Sequence, residues 1–410
     1  MKFIADFHIH SRYSLATSSQ LVPEMLDLWA RKKGITVVGT GDAVHPGWRS
    51  ELKEKLISED NGLYTLNKKF SHDFAAEIQN GIDVRFVLTA EISSIYKKNG
   101  CVRKVHNIVV APSFEAIDKI ANKLALIGNI TSDGRPILGL DSQDLLDIVL
   151  NADENAFIIP AHIWTPWFSV LGSKSGFDTI DECYGDLSKY IFAVETGLSS
   201  DPPMNWQCSF LDKYTLVSNS DAHSPENLGR EANMFDTAIS YKAMVKSLKG
   251  KDDGFLGTIE YFPEEGKYHL DGHRKCGICW EPSETVKHNA VCPVCGKEVT
   301  VGVANRVHEL ADRKVSANTY KGKPFRSVTP LKNIISEVCG VGPNSKKVAV
   351  VYENIIKKTG CEFAALLDTP IETLKTIDSK LADGIDRLRN GKVSLSAGYD
   401  GVFGTVKVFK

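Results

Sequence analysis

No apolar run in these 410 residues approaches the roughly 20 positions that a bilayer-spanning helix needs. Metal-ligand side chains already stand within ten residues of Met1, which leaves no room for a removable signal peptide, so a cytoplasmic protein without a membrane partner is expected. Internal repeats and low-complexity tracts are missing, and disorder need not be invoked. There is no Gly-x-x-x-x-Gly-Lys phosphate loop and no nicotinamide fingerprint, which leaves nucleotide-triphosphate and hydride chemistry without support. A strong net charge is lacking too, the formal value being −2.

What is present is ordinary in bulk, with 42% hydrophobic and 24% charged residues. The length exceeds one core, so a barrel of about 260 residues with one or two smaller units is expected. The near-neutral charge conceals an asymmetry. Residues 306–410 hold 18 Lys+Arg against 11 Asp+Glu, a net of +7, and the remainder carries −9. A basic terminal unit on an acidic barrel suggests a polyanion-binding surface, although a solvated charged helix would look the same.

Metal-ligand side chains recur where apolar, strand-like runs end. Phe3-Ile4-Ala5 leads into Asp6, His8 and His10; Val37-Val38-Gly39-Thr40 into Asp42 and His45; Val87-Leu88 into Glu91; Phe157-Ile158-Ile159 into His162; Leu216-Val217 into Asp221 and His223. His106 also has a strand-like run beside it. In a closed parallel barrel all strand carboxyl ends share one face, so residues far apart in sequence converge there. Imidazoles with carboxylates suit a borderline divalent metal, and a glutamate can bridge two ions. Such ions lower the pKa of bound water and neutralise charge on phosphoryl oxygens, so the expected chemistry is phosphoester cleavage.

Asp6-Phe7-His8-Ile9-His10-Ser11, Gly41-Asp42 with His45, Ala90-Glu91, His106, Ala161-His162 and Ser220-Asp221-Ala222-His223 resemble the successive motifs of the PHP (polymerase and histidinol phosphatase) superfamily. The resemblance implies an α/β fold, a distorted (β/α)7 barrel holding up to three metal ions. Carried onto this sequence it implies one ion at His8, His10, Glu91 and Asp221. A second would lie at Glu91, His106 and His162, and a third at His223 with either His45 or Asp42. Asp42-Ala43-Val44-His45 departs from the commoner adjacent Asp-His pair, which leaves that choice open.

Along the chain, strand-like runs alternate with helical ones to about residue 262: Pro23 opens a helix with Met25, Leu26 and Trp29 on one face. Ile117, Ile120, Ala121 and Leu124 mark another, and Leu145, Leu146 and Val149 a third. Phe262 to Lys267 reads as a linker. Residues 263–304 then contain Cys276-Gly-Ile-Cys279 and Cys292-Pro-Val-Cys295, two knuckles whose four thiolates can close a structural zinc site. The other cysteines, Cys101, Cys183, Cys208, Cys339 and Cys361, are scattered and expected to be small buried residues. In residues 305–410, Arg306 to Lys314 looks helical, and Ile334-Ile335 precedes Cys339-Gly340-Val341-Gly342-Pro343 and then Lys346-Lys347. Helix, tight glycine turn and helix resemble a helix-hairpin-helix element, whose free amides and lysines can grip a DNA phosphate. The tail reads as a hairpin about Asp400-Gly401 or as closing strands.

Barrel, cysteine unit and helical end, in that order, resemble the endonuclease Q family, as do Gly39-Thr40-Gly41-Asp42 with His45-Pro46 and Pro160-Ala161-His162-Ile163-Trp164-Thr165-Pro166-Trp167. The resemblance implies nicking of DNA on the 5′ side of a deaminated base (uracil, hypoxanthine or xanthine) or an abasic site, leaving 3′-hydroxyl and 5′-phosphate ends. It implies Asp221, Glu91 and His162 as the catalytic centre, zinc there as well as in the knuckles, and Mg2+ or Mn2+ as further active-site candidates. A flipped base needs an aromatic pocket. Trp164 and Trp167, and secondarily Arg12, Tyr13 and Trp48, are the candidates, with Lys346 and Lys347 for the phosphates. The sequence stops at Val408-Phe409-Lys410 without a sliding-clamp motif, and clamp binding is not expected. Rival readings are a phosphatase for a small phosphoester and an inactive DNA-binding scaffold.

Overall fold

The first strand, Lys2–Asp6, pairs in parallel with Val37–Gly39, and that strand in parallel with Arg85–Lys98. In the computed structural model, which describes residues 1–71, 81–315 and 322–409, these runs are buried on both faces and therefore read as continuous apolar stretches. The pleat sorts them: Val37, Val87 and Ile159 enter an inner cluster with Phe3, Phe7 and Phe235. Val38, Phe86, Leu88 and Ile158 face the surrounding helices. Ala193–Glu195 and Thr215–Val217 pair in parallel, and a parallel bridge between Ile9 and Ala222 joins the last strand's exit to the first's. The result is the distorted α/β barrel expected.

The distortion has a local cause. Asn99 and Gly100 both take positive φ, 54° and 75°, which turns Arg85–Lys98 back into the antiparallel Cys101–Ala111. Phe157–Pro160 then pairs antiparallel with Cys101–Ala111 and restores the common direction. Antiparallel Ala232–Asp236 and Phe255–Tyr261 extend the sheet beyond Lys2–Asp6. Glu91 and His106 accordingly sit in mid-strand rather than at strand ends, each entering the rim from the long hairpin.

Helices Phe114–Ile127 and Ser142–Ala152 bury the predicted faces, and their N-termini are capped by Ser113, which accepts from Ala116 N–H, and Asp141, which accepts from Gln143 N–H. Helix Pro23–Lys33 turns differently from expectation. Leu26 and Ala30 are buried, while Trp29 is half-buried against Tyr352 and the ammonium of Lys332, both from the C-terminal part. Strand Phe325–Val328 also adds in parallel to Phe255–Tyr261, so the C-terminal residues are stitched to the barrel sheet. No helix among the described residues is long and apolar enough to cross a membrane.

Helix Val303–Leu310 begins three residues before the expected start, and Arg306 is buried there against Asp178, Glu309 and the carbonyls of Leu171 and Phe177. Helices Leu331–Cys339 and Lys346–Thr359 flank the glycine turn, with Gly340 at φ 66° and Ser345 capping the second through Val348 N–H. Lys346 and Lys347 are exposed in its first turn. The tail hairpin is as read, Ser394–Ser396 against Thr405–Lys407 with Asp400 and Gly401 at positive φ; Lys410 lies outside the described residues.

Phe262 to Lys267, read as a linker, is instead packed: Pro263 and Glu265 are buried. Like Glu231 and Glu260, Glu265 has one carboxylate oxygen buried without a partner. Burial pushes Glu265 up to about 8 and holds Glu231 and Glu260 above the carboxylate range, the last two reinforced by nearby carboxylates. In the unfolded chain such groups ionise near 4.5. Between that value and their raised native values the folded protein binds more protons, so stability falls as pH rises. Every tenfold gain in proton affinity on folding corresponds to about 1.4 kcal/mol. Glu260→Gln should therefore gain thermal stability relative to wild type at pH 8, by several degrees, and little or nothing at pH 5. Equal differences at both pH values in a thermal melt would refute this.

Candidate metal centre and cleft

At the rim, His8 Nε2 lies 3.5 Å from Glu91 Oε1 and 3.6 Å from Asp221 Oδ1, and His10 Nε2 lies 3.0 Å from Asp221 Oδ1 and 3.3 Å from Glu91 Oε2. His106 Nδ1 is 2.6 Å, and His162 Nε2 3.3 Å, from Glu91 Oε1. Two groups can therefore hold an ion, each with ligand atoms within 4.8 Å of one another: His8, His10, Glu91 and Asp221, and Glu91, His106 and His162. Glu91 belongs to both and is placed to bridge. The donor set fits metal: His8 Nε2 is buried with no hydrogen-bond partner, an orphan that an ion would satisfy.

Outer groups hold the ligands. Glu195 takes His8 Nδ1 at 3.1 Å and accepts from the His162 N–H (2.7 Å) and the Asn219 amide (2.9 Å). Asp42 Oδ1 is 3.2 Å from His10 Nδ1, while Oδ2 accepts from Ser11 N–H (2.6 Å), Ser11 Oγ (2.7 Å) and Ser14 Oγ (2.8 Å). Thr165 Oγ1 stands 3.1 Å from His162 Nδ1. Such contacts fix the tautomer and direction of a ligating imidazole. Asp42, His162 and Asp221 all adopt left-handed φ (49°, 28° and 47°), strain that sites tend to store. Gly197, at φ 72°, must lack a Cβ because one would collide with His162.

The electrostatics ask for cations. Burial alone would push the imidazoles of His8 and His10 down, but Glu195, Glu91 and Asp221 around the first, and Asp221, Asp42 and Glu91 around the second, hold both well above the ordinary value. Burial would likewise raise Glu91 and Asp221. His106, Arg135 and His8 win at Glu91, and His10 and His8 at Asp221, so both stay well below the carboxylate range. Burial takes His106 down to about 4, neutral and ready to ligate.

Several expectations change here. The donors expected for a third ion are not gathered into one group: Asp42 bonds His10, Ser11 and Ser14. His45 caps helix Pro46–Lys55 through Nδ1, and its Nε2 meets Thr131 O at 3.1 Å. His223 stays at the rim, its ring 4.7 Å from that of His10. Trp48 and Trp164 are core residues, not pocket walls. Each is fully buried, with its indole N–H donated to Gly41 O (2.8 Å) and Asn205 Oδ1 (2.7 Å) respectively. Arg12 is exposed and paired with Glu51, and Tyr13 packs on His45. In the cysteine unit, His273 joins Cys276, Cys292 and Cys295 with ligand atoms within 4.8 Å of one another, and Cys279 lies outside that group. The left-handed Gly277 ends the turn after Cys276, and Cys279 then falls within strand Ile278–Trp280, exposed.

A cavity of about 300 Å³ opens beside the rim, lined by His106, His162, Asp221, Arg135 and Arg230 on the metal side. Its other wall is aromatic. Half-exposed Trp167 packs edge-on against Tyr268 at 5.9 Å, and Phe403 of the tail hairpin, with Lys267 over its ring at 4.5 Å, completes it. Of this wall only Trp167 is marked out by sequence. Glu195 obeys the strand-end rule as well as any ligand does, and His273 stands three residues before Cys276. Arg135, Arg230, Tyr268 and Phe403 carry no signal of their own.

Among known proteins, a family model of the MJ0043 C-terminal domain matches residues 330–392. Protein MJ0043 of Methanocaldococcus jannaschii is 33% identical over 251 residues, 59% of this chain and 31% of that protein, so the match spans about a third of the relative's length. The crystal structure of endonuclease Q in complex with a 27-mer duplex substrate carrying an abasic lesion at the active site is similar at TM-score 0.86 and 30% identity, over 99% of this chain and 96% of that one. The lesion-specific endonuclease PfuEndoQ from Pyrococcus furiosus gives 0.85 and 30% over 99% and 95%. A likeness that runs through barrel, metal-binding unit and helical end alike, at that identity, means that the chain belongs to the endonuclease Q family.

Proposed function

We propose that this protein is a metal-dependent DNA repair endonuclease. It hydrolyses the phosphodiester on the 5′ side of a deaminated base (uracil, hypoxanthine or xanthine) or an abasic site and leaves 3′-hydroxyl and 5′-phosphate ends. The observation that carries the reading is the two-group metal rim opening onto an aromatic cavity, in a chain similar from end to end to an endonuclease Q held on damaged duplex. Divalent ions there, zinc with Mg2+ or Mn2+ as alternatives, would supply a water of lowered pKa and positive charge for the phosphoryl oxygens.

The chain's own residues do the rest. His8, His10 and Asp221 bind on one side of Glu91, and His106 and His162 on the other. Glu195, Asp42 and Thr165 hold these imidazoles in the ligating orientation. Trp167, Tyr268 and Phe403 offer flat faces on which a base taken out of the stack can rest, beside the polar rim that would hold its phosphate. His273, Cys276, Cys292 and Cys295 would hold a structural zinc, which would brace the segment that carries Tyr268. Lys346 and Lys347, exposed at a capped helix start, serve the duplex backbone farther out.

The decisive assay incubates end-labelled duplexes carrying uracil, hypoxanthine, xanthine or an abasic site with protein and metal, and reads product size and end groups. Cleavage one bond 5′ of the lesion is expected. Turnover of p-nitrophenyl phosphate without nicking would favour a phosphatase, and binding without either activity a scaffold. Replacing both Lys346 and Lys347 by Ala should weaken binding of damaged and undamaged duplex alike, and flatten the dependence of log K on log salt by about 2. An unchanged slope would remove that surface from the interface.

A further inference from the structure

Beside the two groups of ligands, a side chain from outside the ligand set reaches the rim. Arg135 Nη1 stands 3.1 Å from Glu91 Oε2, and the guanidinium lines the same cavity as His106, His162 and Asp221. We infer that Arg135 is a built-in third cation of a binuclear centre, contacting a non-bridging oxygen of the scissile phosphate. The inference rests on the phosphodiesterase reading above and deepens it.

Three observations carry it. Of the side chains that a third ion would share with His223, Asp42 is committed to four donors and His45 to Trp48 N–H and Thr131 O. The loop that brings Arg135 occupies the adjoining space: Gly134 packs so closely on Asp42 and Ser14 that a Cβ there would collide with both. That loop is tied down on every side, with Gly134 N–H to Tyr13 O (2.9 Å), Leu15 N–H to Asp133 Oδ1 (3.1 Å), Arg135 N–H to Asp133 Oδ1 (3.1 Å) and Ser93 N–H to Pro136 O (3.0 Å). The guanidinium is therefore held where it is before substrate arrives. One of its N–H groups is spent on Glu91, and the residue lines the cavity.

The chemistry suits the place. Attack of water on a phosphodiester raises the charge on the phosphoryl oxygens as the new P–O bond forms and the bond to the departing 3′-oxygen breaks. A fixed planar cation meets that charge with directed N–H donors and needs no reorganisation. A metal recruited from solution depends on its concentration, and an arginine does not.

Arg135→Ala and Arg135→Lys test this, read by metal content per chain and by nicking of an abasic duplex. Wild type should carry two barrel ions besides the one at the cysteine unit, and both variants the same number. Arg135→Ala should lose roughly 10²- to 10³-fold in kcat while duplex affinity changes only a few-fold, and Arg135→Lys should recover part of the loss. A third barrel ion in wild type, or a kcat for Arg135→Ala within a few-fold of wild type, overturns the inference. The ion count is read on the protein alone, so it decides even if wild type fails to nick, a result that would overturn the lesion reading instead.

Discussion

Glu91→Gln is expected to abolish nicking and to strip the barrel of its metal, because this one carboxylate serves both ligand groups. Its Oε1 is shared between His8 of the first group and His106 and His162 of the second, while Oε2 meets His10 of the first and Arg135. An amide presents one oxygen and a pair of donors, so bridging and charge are lost together, while the fully buried side chain keeps its volume. If each ion supplies about 3 kcal/mol to the barrier reduction, losing both costs on the order of 10⁴-fold. Asp221→Asn touches one group only and should be milder in metal content, one ion lost rather than two. Duplex affinity should fall modestly, since each divalent ion lost removes more positive charge than the substitution removes negative charge. Metal analysis of the purified variant and single-turnover nicking check this. Nicking within tenfold of wild type, or two ions retained, would remove Glu91 as the bridge.

How much of this centre could be read from residues alone depends on whether a local rule governed the position. His8, His10, Glu91, His106, His162 and Asp221 were legible because apolar runs announce strands and polar residues beside them must face the barrel's mouth. The same rule marks Glu195, whose work is to hold ligands rather than to be one. Asp42 and His45 obey the rule too, yet both turned inward to hold a ligand and to cap a helix. Strand-end position places a side chain at the rim without saying what it will meet there. Trp48 and Trp164 failed for a related reason. Nearness to a ligand in sequence says nothing about which way an indole points, and both point into the core, where carbonyl and amide oxygens satisfy the N–H. Arg135 and Phe403 were out of reach altogether, since a loop and a hairpin tip meet the site only through tertiary packing. The fold itself was easier, because alternating strand-like and helical runs to about residue 262 announce βα units, although the Asn99-Gly100 turn that reverses the long hairpin went unread.

Removal of the cysteine-unit metal should have the largest effect on stability, and the choice of fourth ligand decides which substitution causes it. Apparent binding energies for structural zinc run at about 10–16 kcal/mol, and a unit this short has little core of its own, so metal and fold are gained together. Cys292 is fully buried and His273 Nδ1 sits 3.9 Å from Cys295 Sγ, whereas Cys279 lies outside the group, on the strand opposite Gly272. Cys292→Ser and His273→Ala should therefore release the ion and expose residues 263–304 to protease, while Cys279→Ser keeps both metal and protection. The consequence reaches the active site. Asp271, which accepts from Gly302 N–H and from the Thr285 and Asn305 side chains, ties this unit together close in sequence to Tyr268, and Tyr268 forms the cavity wall with Trp167. Losing the ion should thus cut nicking of damaged duplex even though no barrel ligand has changed, and leave the two barrel ions countable by metal analysis. Zinc lost from Cys279→Ser but retained in His273→Ala would restore the four-thiolate site and place the imidazole outside it.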